Sequence, residues 1–216
     1  GRAGEEAASY ENLFLRKEIA GFRTNIRREQ SCSIKSLTRD YLYKQLLSSG
    51  EYTFDHMLVI KDPYGEAPLT ALALFILEEP ARVRVTTKGN LEVTDFVTEL
   101  PKKKEHRVPI LGMYAEKAND IVIEILDDEG NCVKSHTFTI RTKRLPKSLR
   151  NVITVKKWTD KPAYSNIMIN GGVKIHTCVF DIEGKIRYYL SRKPRGYGIF
   201  PLSDGHFFYM EKYISV

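Results

Sequence analysis

The sequence predicts a mainly β protein: N-terminal helices, then a β-sandwich, then the first blade of a truncated β-propeller. Three observations predict it. Hydrophobic spacing changes near residue 50 from a helical period to alternation. Short alternating segments separated by turn residues then fill about 90 residues with no intervening helical pattern. A proline-centred break at Leu145-Pro146-Lys147-Ser148-Leu149 is followed by strands of a different rhythm. The expected divisions are 1–50, 51–145 and 146–216.

The helical section runs from about Ser9 to Ser49. Leu13, Phe14, Ala20 and Phe22 recur at helical spacing, as do Leu37, Tyr41, Leu42 and Leu46. Ser9 caps the first predicted helix, the stretch Ser31 to Ser33 separates the two, and Ser36 or Thr38 stands near the second start. Ser48-Ser49-Gly50 ends the second, because glycine accepts the left-handed conformation that closes a helix.

Predicted strands of the middle section are Thr53 to Ile60, Leu69 to Leu77, Arg82 to Thr87, Arg107 to Leu111, Ile121 to Leu126 and Val133 to Arg141. Ala81 to Thr86 alternates cleanly, as a half-buried strand does. Asp127-Asp128-Glu129-Gly130-Asn131 signals a hairpin and Lys88-Gly89-Asn90 another turn. Pro63 presets φ and Gly65 tolerates positive φ, so Pro63-Tyr64-Gly65 makes a turn. Pro109 lies in an apolar run, which predicts an edge strand or a bulge.

In the last section Val173 to Asp181, Ile186 to Leu190 and His206 to Met210 read as strands, with turns at Glu183-Gly184 and Asp204-Gly205. This is the pattern of one propeller blade. A lone blade does not bury both its faces, so Tyr188, Tyr189, Phe207, Phe208 and Tyr209 are expected to be partly exposed.

The composition is globular: 42% of residues are hydrophobic, enough for a core, which excludes wholesale disorder. No apolar run approaches the ~20 residues of a membrane-spanning helix. The chain opens Gly1-Arg2-Ala3-Gly4 without an initiator Met and reads as a trimmed start. The net charge of +7 comes from clusters such as Lys102-Lys103-Lys104, Arg141 to Arg144 and Lys156-Lys157, placed at turn-like sites along the chain. It reads as a solvated surface rather than a nucleic-acid face. Cys32, Cys132 and Cys178 have the spacing of neither a metal clamp nor a disulfide framework; one pair could bridge, but they read first as buried free thiols.

Several blocks carry a resemblance. Asp62-Pro63-Tyr64-Gly65-Glu66-Ala67-Pro68-Leu69-Thr70-Ala71-Leu72, His106-Arg107-Val108-Pro109-Ile110-Leu111-Gly112-Met113-Tyr114 and Asn119 to Ile123 resemble the N-terminal domain of bacterial aryl-sulfate sulfotransferases. Val179 to Leu190 and Phe200 to Tyr209 are similar to the first strands of that family's propeller. The resemblance implies an Ig-like sandwich against a six-bladed propeller. It also implies transfer of a sulfuryl group from an aryl sulfate to a phenol through a transiently sulfated histidine, without a nucleotide donor or another cofactor. Such chemistry needs a nucleophilic imidazole, a clamp for the sulfate oxygens and a base for the phenol. The resemblance puts those groups on blades beyond Val216, so this fragment alone is expected to be inactive. Its partners are then an aryl sulfate and a phenol, with no nucleic acid. It is also consistent with a membrane anchor upstream of residue 1, a homo-oligomer, and a periplasmic or cell-surface location in a bacterium.

No residue of the 216 is assigned a catalytic, cofactor-binding or metal-binding role. His56, His106, His136, His176 and His206 are widely spaced and form no local metal motif. His136 and His176 fall in predicted strands, and His106 falls in the sandwich. His206 follows a hairpin glycine. Arg187 occupies a blade position where an arginine is a sheet-face ion pair or a sulfate clamp. Cys178 reads as a buried thiol. A second function class stays open: a non-catalytic surface or interaction module built on the Ig-like sandwich.

Overall fold

The run Ala71-Leu72-Ala73-Leu74-Phe75 is apolar at every position, which a strand tolerates only when both faces are covered. The computed structural model shows how this happens. It describes residues 32–156, 166–169, 176–191, 199–201 and 207–209. The first predicted helix, His206 and the Asp204-Gly205 turn lie outside the described residues.

Strand β2 (Ala71–Thr87) is the spine of the molecule. Its first half pairs with β1 (Leu58–Lys61) on one edge and its second half with β4 (Ala118–Leu126) on the same edge. Strand β3 (Phe96–Ile110) runs antiparallel along the other edge for the whole length, from Thr87↔Phe96 to Ala71↔Ile110. Register shifts between Ile76 and Val83 interrupt the ladder of this long hairpin within one five-stranded sheet. Strand β5 (Cys132–Arg141) pairs with β4 through the Asp127–Asn131 turn, where Gly130 has φ +93°. The free side of β5 meets the segment before β1: Lys134 pairs with Asp55 at 2.7 Å, and the His136 ring lies 6.2 Å from Phe54.

The β2–β3 hairpin corrects the sequence reading. Leu69 to Leu77 and Arg82 to Thr87 are one strand, not two, and Phe96 to Glu105 is strand as well. The polar Lys102–Lys104 run, expected at a turn, lies mid-strand where β3 crosses the register shifts and faces solvent. Thr53 to His56 makes only an isolated bridge and a turn, and the first strand begins at Leu58. Among the described residues β3 pairs only with β2, so Pro109 does sit on an edge strand.

Core-facing residues of β2 (Ala71, Ala73, Phe75, Leu77, Val83, Val85) meet Val108, Ile110, Ile121, Ile123 and Ile140 in one apolar cluster. Leu72 and Leu74 point the other way, onto helix α1 (Cys32–Ser48). Tyr43 and Leu47, one turn apart, are the buried pair of α1, flanked by Leu42 and Leu46. Tyr41, expected on the buried face, is 62% exposed. Each fully buried side chain of this size contributes about 1.5–3 kcal/mol. Gly50, with φ +75°, follows the helix as expected.

Polar contacts complete the docking of α1. Asp62 and Gly65 take positive φ in the Pro63-Tyr64-Gly65 turn, and the Gly65 N–H donates to the Asp62 carbonyl at 2.9 Å. The Tyr43 hydroxyl donates to the Pro63 carbonyl. Tyr64 donates to Asp40 Oδ1 at 2.6 Å and accepts from Arg107 at 3.1 Å, while Arg107 also pairs with Asp40. Burial pushes the Tyr43 phenol up to about 12.

The chain leaves the sandwich through a short 3-10 turn, Lys147–Leu149, whose Leu149 is buried in the sandwich core. A three-stranded antiparallel sheet follows, formed by β6 (Asn166–Ile169), β7 (Cys178–Asp181) and β8 (Ile186–Tyr189). Gly184, at φ +76°, makes the β7–β8 turn. Strands β9 (Ile199–Pro201) and β10 (Phe207–Tyr209) form a separate pair. Cys178, Phe180, Ile186 and Tyr189 join the same apolar cluster as the sandwich. Tyr189, expected to be partly exposed, is therefore buried: this face of the sheet packs on the sandwich instead of on a second blade.

Candidate functional site at the junction of the two sheets

The most concentrated buried polar chemistry among the described residues lies where β7 and β8 meet the sandwich. Asp181 ends β7 and Arg187 sits in β8, and both are 0% exposed. Charges are almost never buried to that degree unless they are paired. Asp181 Oδ1 accepts the backbone N–H groups of Glu183 and Lys185, both at 3.0 Å, and so shapes the β7–β8 turn. Its Oδ2 accepts the Tyr114 hydroxyl at 2.8 Å and faces Arg187 Nη1 at 3.4 Å.

Arg187 reaches out of its own sheet. Nε donates to the Gly112 carbonyl at 2.6 Å, and Nη1 donates to the Thr94 carbonyl at 2.7 Å and to the Tyr114 hydroxyl at 3.1 Å. The guanidinium carbon lies 4.0 Å from the centre of the Tyr114 ring, a cation–π contact. Nη2 is buried and has no hydrogen-bond partner.

The sandwich is built to receive this group. The backbone turns after β3 at Gly112, with φ +76°; a Cβ there would stand 2.6 Å from Phe96, so only glycine fits. Asn119 holds the next residues: its Oδ1 accepts the Tyr114 N–H at 2.7 Å and its Nδ2 donates to the Tyr114 and Ile140 carbonyls. Thr94 is fully buried at the end of a 3-10 turn, and the Asn90 N–H donates to the Tyr114 hydroxyl at 3.1 Å. Burial raises the pKa of that phenol, which keeps its proton for Asp181.

Sealed from solvent, this cluster offers a substrate no approach. It is a clamp between two sheets. Arg187 makes the sheet-face ion pair that was one of its two sequence readings, extended by two carbonyls and a phenol of the sandwich. Tyr114, Thr94, Gly112 and Asp181 were not singled out from the sequence. The signals were there: an Asp-x-x-Gly turn at the end of a strand, and a Gly-Met-Tyr sequence just after an apolar edge strand.

The four described histidines do not converge. His106 is buried, stacked on Phe75, with Nε2 2.8 Å from the Lys103 carbonyl. Burial lowers its pKa. His176 lies just before β7, buried, with Nδ1 2.8 Å from the Leu190 carbonyl. His136 is half-buried between Phe54 and Phe138, and His56 is exposed in the turn before β1. Among the described residues no three His, Cys, Asp or Glu side chains gather in a metal-binding arrangement. Cys178 is a buried free thiol, and burial raises its pKa. Cys132, expected to be buried, is exposed, because β5 turns that position to solvent.

Residues 58–143 match the family model of the arylsulfotransferase Ig-like domain. The chain is related to the aryl-sulfate sulfotransferases. Arylsulfate sulfotransferase AssT of Escherichia coli O6:H1 (strain CFT073) is 27% identical over 150 residues. That stretch is 65% of this chain and 24% of AssT, so the match spans about a quarter of the relative's length. The matched domain opens at β1 and closes just past β5, which is the sandwich described above. The blocks behind the resemblance have structural tasks within it. Pro63-Tyr64-Gly65 seats α1, and Gly112-Met113-Tyr114 receives Arg187.

Proposed function

We propose that this chain is the N-terminal portion of an aryl-sulfate sulfotransferase. The enzyme moves a sulfuryl group from an aryl sulfate to a phenol. The sulfur–oxygen bond of the donor breaks as a histidine nitrogen takes the sulfuryl group, and the donor phenol leaves with a proton. The acceptor oxygen then takes the group from the histidine as a base removes the acceptor's proton. The histidine, the sulfate clamp and the base belong to chain downstream of Val216. The observation that carries the reading is the match of residues 58–143 to the arylsulfotransferase Ig-like domain. It is supported by the engagement of His106, His176 and His136 in packing and backbone contacts. The sandwich serves as a base on which the first propeller sheet is fixed by Arg187. The same proposal extends to a periplasmic or surface location in a bacterium. Among the described residues no helix is long and apolar enough to cross a membrane.

The test uses the full-length polypeptide of the same gene and this 216-residue chain, each incubated with 4-nitrophenyl sulfate and phenol without any nucleotide. The expected result is phenol-dependent release of nitrophenol by the full-length protein and none by the chain alone. A full-length protein that transfers nothing overturns the assignment. Turnover by the short chain at the full-length rate overturns the placement of the catalytic groups.

A further inference from the structure

Two elements that belong to different apolar clusters are bonded to one loop. Helix α1 packs with Leu72 and Leu74 on one side of β2, while the β7–β8 sheet joins the cluster on the other side. The 62–70 loop between β1 and β2 holds both. We infer that this loop is a strut and α1 a strap: the seating of α1 sets where the end of β8 stands, and so where the chain leaves the three-stranded sheet. The device is a property of the fold and does not depend on the sulfuryl-transfer reading.

Three observations carry the inference. The loop is braced within itself. Asp62 Oδ1 accepts the Ala67 N–H at 2.9 Å, and the Asp62 N–H donates to the Thr70 carbonyl at 2.8 Å. Thr70 gives both its N–H and its hydroxyl to the Ala67 carbonyl, at 3.0 and 2.8 Å. A shift at one end of such a loop is passed on rather than absorbed. Helix α1 grips the first half. The Tyr43 hydroxyl donates to the Pro63 carbonyl, and the Tyr43 and Tyr64 rings meet edge to face at 6.0 Å. The Arg39 guanidinium lies over Gly65, 3.1 Å from where a Cβ would stand.

The second half of the loop holds the end of β8. Leu190 is tied to its own sheet: its N–H donates to the Thr177 carbonyl at 3.0 Å, and its carbonyl lies 2.8 Å from His176 Nδ1. The next residue, Ser191, is tied to the loop. Its N–H donates to the Glu66 carbonyl at 2.8 Å and its hydroxyl to Glu66 Oε2 at 3.4 Å. The Asp62 carboxylate also stands near enough to Tyr188 and Tyr189 to add to the upward push that burial gives their phenols. The Pro63 carbonyl, held by α1, and the Glu66 carbonyl, held by Ser191, belong to the same turn, so release of one is felt at the other.

The experiment follows amide hydrogen exchange in the 216-residue chain and in two variants of it. Tyr43→Phe with Leu47→Ala loosens α1 by removing its bond to the loop and part of its apolar contact. The expected result is about fivefold faster exchange at the Ser191 amide, the effect of one lost hydrogen bond, with Ile123 in the middle of the sandwich unchanged. Ser191→Pro removes the donor at the other end. Coupling is reciprocal, so the amides of Tyr43 and Leu47 then exchange faster by a similar factor. This second variant decides the matter if the first does not fold. Three results would each overturn the inference. They are Ser191 protection unchanged in the first variant, Ile123 losing protection in step with Ser191, and α1 protection unchanged in the second variant.

Discussion

Two clusters in this molecule use the same three side-chain types. Asp40, Tyr64 and Arg107 tie helix α1 to the sandwich; Asp181, Tyr114 and Arg187 tie the β7–β8 sheet to it. The first lies in water, with Arg107 and Asp40 side chains 38% and 42% exposed; the second is 0% exposed at both charges. Identical chemistry therefore does two different jobs. In water the ions lose little by separating, so apolar contacts of Tyr43 and Leu47 must hold α1. In the interior neither ion can be left alone, so the cluster fixes where one sheet stands against the other.

The sharpest way to break this contrast is Arg187→Met. It leaves Asp181 charged and unpaired in the interior, and an expected loss of about 3–5 kcal/mol follows. Urea unfolding monitored by near-UV circular dichroism checks it; a loss below 1 kcal/mol, of the size expected for the exposed cluster, would erase the distinction. Tyr114→Phe is the intermediate case. It strips Asp181, Arg187 and the Asn90 N–H of one partner each while keeping the ring under the guanidinium, and about 1–3 kcal/mol is expected. The salt dependence should be weak, because the group is sealed from counter-ions.

Arg107→Gln should be the mildest, at about 0.2–1 kcal/mol and vanishing in high salt. Its pH dependence has a definite sign. Burial alone would raise the Asp40 pKa, but the hydrogen bonds from Tyr64 and Arg107 outweigh it and hold the carboxyl below its ordinary 3.8. A carboxyl depressed in the folded state contributes stability that is complete above 3.8 and is lost as the pH falls through the folded value. The difference between the parent chain and Arg107→Gln should therefore shrink in acid, measured as melting temperature against pH. A difference that grows in acid would reverse the assignment.

The local turns were legible in the sequence, and the long-range partners were not. Asp127 to Asn131 and Glu183-Gly184 announce hairpins because a glycine at positive φ, with Asp or Asn nearby, is a local requirement. The full length of β2 and β3 was hidden. Glu78, Glu79 and Pro80, like Lys102 to Lys104, look like loop, and only the bulged pairing across the register shifts keeps them in strand. The face of α1 was misjudged because the Pro63-Tyr64-Gly65 turn reaches over to Tyr43 and leaves Tyr41 outside. Arg187 was visible as a blade-strand arginine, a sheet-face ion pair or a sulfate clamp, but its partners were not. Its acceptors Thr94, Gly112 and Tyr114 lie in the connections before and after β3, far away in the chain, and no periodicity connects them.

The two-sided burial of β2 also bears on how its alignment is specified. A strand with one wet face is locked by polarity, because a slip of one residue exchanges inside for outside. Ala71 to Phe75 has no such lock, for both its faces are apolar. Beyond the register shifts the lock returns: Val83 and Val85 face the core while Arg82 and Arg84 face outward, and Arg84 reaches Glu99 on β3 at 2.8 Å. A slip there would drive guanidinium groups into the core. The first half of the strand takes its alignment from the second through the continuous backbone, with the small Ala71 and Ala73 set against the larger Leu72 and Leu74 as its own, weaker, steric guide.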